Sequence, residues 1–134
     1  KNNIVRKNLF KKLMDAGFKL PSFVSKKTII SSNVKIGTGS IVMHGAILNS
    51  GSKIGNNTII NTGTIVEHGA KIGNNCHLAP RSVINGDAVI KDGTFIGSGS
   101  IVRENIVVGK ECVVGANSFI KKNLPNNSIF KNEK

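Results

Sequence analysis

The stretch INTGTIVEHGAKIGNNCHLAP, residues 60–80, repeats one short pattern with little variation. An aliphatic residue recurs every six positions, and three positions after it stands a residue that is usually Gly or Asn. The same register extends in both directions, so that every sixth residue from Ile30 to Ile120 is Ile, Val or Leu, 16 in all. Gly, Asn and Asp tolerate a positive φ, and they therefore supply a turn in nearly every hexapeptide.

The residue two positions before each aliphatic one is mostly small, as at Ser40, Ala46 and Thr58. Side chains alternate along a strand, so the small and the aliphatic residue face the same way. A turn in every hexapeptide closes a triangular prism of parallel strands, with three hexapeptides in each coil. The 16 hexapeptides predict an all-β, parallel β-helix of about five rungs. The period alone leaves the handedness of the coil open.

The two ends of the chain lack the repeat. Residues 1–27 are predicted to be a helix and a lead-in, because apolar residues at helical spacing are followed by Gly17, a suitable C-terminal cap. This segment is either a cap on the open coil or the remnant of a further N-terminal domain. The β-helix domain is expected to span 28–123. Residues 124–134 are expected to form a mobile C-terminal tail, with Pro125 marking the exit.

The composition excludes several classes of protein. The formal net charge is +12, but no nucleic-acid-binding motif or interleaved aromatic residues accompany it, so no nucleic acid partner is expected. No apolar run reaches about 18 residues and no signal peptide is recognisable, which predicts a cytoplasmic protein without a membrane span. Cys76 and Cys112 lie six hexapeptides apart, which is two coils along one inward column, and are expected to be buried and unpaired.

The repeat resembles that of the left-handed β-helix acyltransferases. Within this group, INTGTIVEHGAKIG followed by HLAPRSVINGDAVIKDGTFIGSGSIV is similar to the NeuD/PglD branch of sugar acetyltransferases. The resemblance covers about residues 4–125. It implies a left-handed coil, a homotrimer with active sites between neighbouring coils, acetyl-CoA as co-substrate, and a sugar or nucleotide-sugar acceptor. It also implies an N-terminal nucleotide-sugar-binding domain, of which residues 4–24 resemble the last helix and strand.

His68 stands two positions after the core residue Val66 and is therefore expected to be exposed at a corner of the prism. A neutral imidazole there can accept the proton of an amine or hydroxyl as it attacks a thioester. Gly86 comes three hexapeptides later, so it stacks one rung above His68, leaves room beside it and can offer its N–H to an oxyanion. The structural alternatives are a solvated turn histidine and a plain turn glycine.

The resemblance implies roles for six residues. His68 matches the general base, and Asn61 matches a position near the acceptor. The residues that match acetyl-CoA-binding positions are His77, Gly86, Ser98 and Ala116. The family often has an acidic residue directly after the histidine, where this chain has Gly69. Either a carboxylate from elsewhere serves the ring, or the site is degenerate.

The resemblance implies an acetyl-CoA-dependent transferase that N-acetylates a nucleotide-linked 4-amino sugar in surface-glycan biosynthesis. O-acetylation of a sialic acid is the alternative within the same class. A zinc enzyme like the γ-type carbonic anhydrases needs three converging histidines, whereas His44, His68 and His77 fall on separate edges or faces, and no metal is expected. A non-catalytic trimeric β-helix with a degenerate site is the alternative of another class.

Overall fold

The computed structural model describes residues 3–131, which form one helix and 18 two-residue strands. The helix is α1 (Asn3–Asp15). The strands are, in chain order, β1 (Phe23–Val24), β2 (Ile29–Ile30), β3 (Lys35–Ile36), β4 (Ile41–Val42), β5 (Ile47–Leu48), β6 (Lys53–Ile54), β7 (Ile59–Ile60), β8 (Ile65–Val66), β9 (Lys71–Ile72), β10 (His77–Leu78), β11 (Val83–Ile84), β12 (Val89–Ile90), β13 (Phe95–Ile96), β14 (Ile101–Val102), β15 (Val107–Val108), β16 (Val113–Val114), β17 (Phe119–Ile120) and β18 (Ile129–Phe130).

Up to β17 every third strand pairs in parallel, and at the upper end β18 pairs with β16, which gives three sheets around a prism. Sheet A has the order β1-β4-β7-β10-β13-β16-β18, sheet B the order β2-β5-β8-β11-β14-β17, and sheet C the order β3-β6-β9-β12-β15. Paired residues lie three hexapeptides apart, as where His77 is opposite both Ile59 and Phe95. The strands make about six coils, one more than the repeat predicted.

The interior of the prism is a stack of aliphatic and small side chains, as predicted. From Val42 to Ile120 every residue of the aliphatic series is at most 3% exposed. Ile30 is 44% exposed because it lies at the open lower end of the coil. Cys76 and Cys112 are buried and unpaired. Desolvation by burial raises the pKa of the Cys76 thiol to about 12, so this residue serves as an inert core side chain.

The coil extends beyond the predicted boundaries of 28–123 at both ends. At the lower end β1 pairs with β4, so the first coil begins at Phe23. At the upper end Leu124 bridges Val108 and β18 pairs with β16, and both pairings fall two positions short of three full hexapeptides. One turn of the last coil is thus two residues shorter than the others. The apolar residues of this coil therefore do not continue the six-residue period of the sequence. Leu124 and β18, which lie in the segment predicted to be a tail, thus pair with the coil, and residues 132–134 lie outside the described part of the chain.

At the turns, the position of a residue in the hexapeptide determines its backbone conformation more than its residue type does. The third residue after the aliphatic position has a positive φ throughout the regular coils, including Arg81 at 59° and Glu111 at 52°, the two exceptions in the sequence pattern. The geometry of the coil thus imposes the left-handed conformation even on residues that do not favour it.

Helix α1 ends as the sequence predicts. Gly17 has a φ of 84°, its N–H donates to the carbonyl of Met14, and the N–H of Phe18 donates to the carbonyl of Leu13. These two bonds form a Schellman cap. Between residues 3 and 131 no helix is long and apolar enough to cross a membrane.

Helix α1 packs lengthwise against the corner between sheets C and A. Near its start, Lys7 forms an exposed ion pair with Glu111, 3.3 Å apart. One residue earlier, the Arg6 guanidinium donates to the carbonyls of Asn75 (3.2 Å) and Cys76 (3.0 Å). Farther along, the ring of Phe10 covers Gly39, where an added Cβ would lie 2.6 Å from a ring carbon. The helix therefore spans the turns of several successive coils.

Candidate functional site

His68 lies on the turn between β8 and β9, at the corner between sheets B and C, and its side chain is exposed. Its ring rests against Gly86, one coil above. A Cβ added to Gly86 would lie 2.6 Å from Cε1 and 2.7 Å from Nε2 of the ring. These distances are well below carbon contact distances of about 3.5–4.0 Å, so only glycine leaves the imidazole in this position.

Gly86 also offers a backbone donor. At the corner between sheets C and A, the N–H groups of Asn56 and Asn74 each donate at 2.8 Å to a side-chain oxygen one coil above. Within residues 3–131, the N–H of Gly86 has no such acceptor, since Glu104 above it bonds Arg103 instead, at 2.8 Å. The site therefore pairs an imidazole with an adjacent N–H that can receive an oxyanion.

These groups share a surface depression of about 410 Å³, whose lining includes three carboxylates. Glu67 accepts a hydrogen bond at 2.9 Å from Asn49, one coil below, so it points away from the ring. Arg103 lowers the pKa of the exposed Glu104 by its hydrogen bond. The third carboxylate, Asp87, extends down over Gly69. The sequence analysis did not single out Asp87, although the repeat places it one full coil after Gly69.

His77 occupies the outward face of β10 in sheet A and is half-buried. Its Nε2 lies 3.3 Å from Nδ2 of Asn61, and its ring meets Phe95 edge to face at 5.3 Å. Desolvation by burial, with a smaller contribution from the cation of Arg6, lowers the pKa of His77 to about 4. The ring is therefore neutral near pH 7, and its Nε2 can accept the amide hydrogen bond of Asn61. This arrangement suits a binding residue rather than a proton carrier.

Ser98 and Ala116 lie one above the other at the corner between sheets A and B, and both are exposed. Their turns pack backbone to backbone, since a Cβ on Gly97 would lie 2.5 Å from the backbone nitrogen of Ala116. The surface here presents main chain with small side chains, which a slender ligand can approach closely.

The six predicted site residues form two groups in one chain. His68 and Gly86 share the corner between sheets B and C. The other group follows sheet A and its corner with sheet B, and consists of Asn61, His77, Ser98 and Ala116. The face of sheet B separates the two groups, so a single prism does not bring them together. Among residues 3–131, the structure has no cluster of three His, Cys, Asp or Glu side chains that could hold a metal ion.

Comparison with solved structures supports the fold. The chain is similar to the acetyltransferase domain of PglB from Neisseria gonorrhoeae FA1090 in complex with acetyl coenzyme A (TM-score 0.93, 29% identity, 96% of this chain and 62% of that one). It is similar to PerB from Caulobacter crescentus in complex with CoA and GDP-perosamine (0.92, 33%, 96% and 62%). It also resembles WeeI from Acinetobacter baumannii AYE (0.91, 29%, 96% and 63%). The fold is thus the predicted left-handed parallel β-helix.

The chain spans a little over three fifths of the length of these solved structures. A comparison with curated protein sequences gave no match. The hexapeptide repeat of succinyl-transferase matches residues 27–62. The bacterial transferase hexapeptide family (six repeats) matches residues 51–86 and 87–122, more than half of the chain. The protein therefore belongs to the bacterial transferase hexapeptide family.

Proposed function

We propose that the protein is an acetyl-CoA-dependent acetyltransferase that N-acetylates a nucleotide-linked 4-amino sugar. The observation that carries this proposal is the pairing of the exposed His68 ring with Gly86, whose N–H has no acceptor within residues 3–131. The comparisons support the choice of ligands, because the similar PglB domain was solved with acetyl coenzyme A and PerB with CoA and GDP-perosamine.

The chemistry is a direct transfer. The neutral amine of the acceptor attacks the thioester carbonyl, and His68 accepts the proton that the amine nitrogen gives up. The N–H of Gly86 donates to the oxygen that becomes negatively charged. Collapse of the tetrahedral intermediate breaks the C–S bond and forms the amide, and the CoA sulfur leaves as the thiol with the proton that His68 returns. No protein nucleophile takes part, since Cys76 and Cys112 are buried in the core.

The working form of the proposed enzyme is a homotrimer. The two groups of site residues lie on different edges of the prism, so a second copy must bring Asn61 and His77 to the His68 corner. The outward faces support this assembly. Sheet B presents only apolar side chains outward: Ile29, Ile47, Ile65, Val83, Ile101 and Phe119. Sheet C presents Lys35, Lys53 and Lys71 on its lower part, which suits contact with water.

Within this site, His77, Gly86, Ser98 and Ala116 are assigned to acetyl-CoA. Asn61 is assigned to the acceptor. The slender pantetheine arm suits the exposed main chain at Ser98 and Ala116. Helix α1 is assigned to the end of a nucleotide-sugar-binding domain. The exposed apolar side chains of Ile4 (57%), Val5 (65%) and Leu9 (55%) on α1 support this assignment. Because the donor is acetyl-CoA, the expected location is the cytoplasm.

The test measures the release of CoA thiol from acetyl-CoA with a panel of nucleotide-linked 4-amino sugars and sialic acids. Turnover on an amino sugar, reduced about 10²- to 10⁴-fold in His68→Gln, is the expected result. The matched control is His44→Gln, which changes a histidine at another corner and should keep the wild-type rate. Turnover on sialic acids alone would replace N-acetylation by O-acetylation. A chain that neither turns over nor binds acetyl-CoA would be a non-catalytic coil.

A further inference from the structure

We propose that Asp87 is the carboxylate that positions the His68 imidazole, and that it does so from the coil above. This inference rests on the proposed function, in which His68 is the general base. Asp87 stands three hexapeptides after Gly69, so it lies directly above the residue that follows His68. The chain thus places an acidic side chain beside the base without having one next to it in sequence.

The glycine at 69 makes room for this carboxylate. Gly69 has a φ of 67° and Asp87 a φ of 58°, so both occupy the same left-handed position of successive turns. A Cβ on residue 69 would lie 3.1 Å from Cγ of Asp87, and one carboxylate oxygen is closer still. The Asp87 side chain therefore points down into the space that a side chain at 69 would need.

The imidazole occupies the same gap between coils. The His68 ring rises toward Gly86, while the Asp87 carboxylate descends toward Gly69. Residues 68 and 69 are neighbours in the chain, so the ring and the carboxylate stand side by side in one layer. The N–H of Asp87 donates to the carbonyl of His68 at 3.0 Å, which fixes the register of the two turns. Both residues line the same depression.

The other two carboxylates of the depression are already engaged. Glu67 accepts from Asn49 at 2.9 Å, and Glu104 accepts from Arg103 at 2.8 Å. Within residues 3–131, no hydrogen bond or ion pair engages the Asp87 side chain, and none yet joins it to the ring. Catalytic hydrogen bonds are often long without substrate and shorten in the complex. Asp87 is therefore the carboxylate that can turn to the ring when the acceptor binds.

The chemical role follows from the two nitrogens of the imidazole. One must face the amine to accept its proton. A carboxylate that accepts the N–H of the other nitrogen holds the ring in the reactive tautomer and orientation. It also stabilises the imidazolium that forms when the proton arrives, while the proton itself stays on His68. Asp87 acts through His68 and is a positioning residue.

The first variant is Asp87→Asn, which keeps the shape of the side chain and removes its charge. The fold should be unchanged, because Asn105 occupies the same turn position one coil above with a φ of 59°. We expect kcat to fall about 10- to 100-fold while the KM for acetyl-CoA stays the same. The matched control is Asp92→Asn. It removes the same charge from the same coil at another corner and keeps the oxygen that accepts from Asn74, so kcat should not change.

Two further variants separate positioning from structure. In a His68→Gln background, Asp87→Asn should cause no additional loss, because the carboxylate has no imidazole to act on. Gly69→Asp combined with Asp87→Gly moves the carboxylate one coil down. This double variant should have a higher kcat than Asp87→Asn.

A wild-type kcat in Asp87→Asn, or an added loss in the His68→Gln background, would overturn the inference while leaving the proposed function intact. A wild-type chain that turns over no acceptor would overturn both.

Discussion

Replacing Gly86 by alanine should separate activity from stability. Gly86 does not have a positive φ, so its backbone accepts an alanine without strain. The new methyl group would start 2.6 Å from Cε1 of His68, whereas carbon atoms in contact stand about 3.5–4.0 Å apart. The ring must therefore move by about 1 Å. Because the imidazole is the exposed end of a side chain, it can swing toward solvent at little cost in folding free energy.

A displacement of about 1 Å in a catalytic group costs about 10²-fold in rate. This corresponds to about 2.7 kcal/mol in the activation free energy. We expect kcat/KM for CoA release to fall by that factor in Gly86→Ala, with a Tm close to that of the wild type. Initial rates and thermal unfolding followed by circular dichroism measure the two quantities on the same preparation. A kcat/KM within threefold of wild type at an unchanged Tm would refute the assigned position of the base.

Three other changes test the coil and its helix. Gly55→Ala should lower the Tm strongly, unlike Gly86→Ala, because the added Cβ would lie 2.5 Å from the backbone of Gly73; an unchanged Tm would contradict this packing. Burial lowers the pKa of His77 to about 4, so the unfolded chain binds a proton near pH 6.5 that the folded chain binds only near pH 4. The wild type should therefore lose stability in urea as the pH falls from 6.5 to 4, and His77→Gln should lose less. Arg6→Ala removes hydrogen bonds to the carbonyls of Asn75 and Cys76 and should destabilise the chain by about 2 kcal/mol in urea titrations; a loss near zero would mean that α1 is not held by them.

The regular part of the fold is readable from sequence because each inward position repeats in one chemical class. From Val42 to Ile120 every residue of the aliphatic series is buried. The upper end was missed for a physical reason. A shortened turn leaves the coil closed but moves Leu124 and Phe130 out of the hexapeptide register. The lower end was missed although Val24 lies six positions before Ile30 and pairs in register with Val42, because Lys27 stands where most hexapeptides have Gly, Asn or Asp.

The part of the site that could be predicted consists of residues that the six-residue repeat stacks on one another in successive coils. The stacking of Gly86 on His68 follows from their separation of three hexapeptides. The period does not say whether a side chain points up or down between coils, so the descent of Asp87 over Gly69 needed coordinates. It also does not show that His77 is buried enough to lose its charge near pH 7, since this depends on neighbours such as Phe95 and Arg6.

Helix α1 changes how the coil can come apart. In a solenoid each repeat contacts only its neighbours, so coils can fray from an open end independently of distant ones. Helix α1 runs across several coils of the stack. Its Lys7 lies beside Glu111, and its Phe10 covers Gly39, four coils away. A coil at one end cannot detach from the stack without straining a segment that is also anchored near the other. The unfolding of coils near one end is thereby coupled to that of coils near the other end. The cooperativity of unfolding therefore does not depend on contacts between neighbouring coils alone.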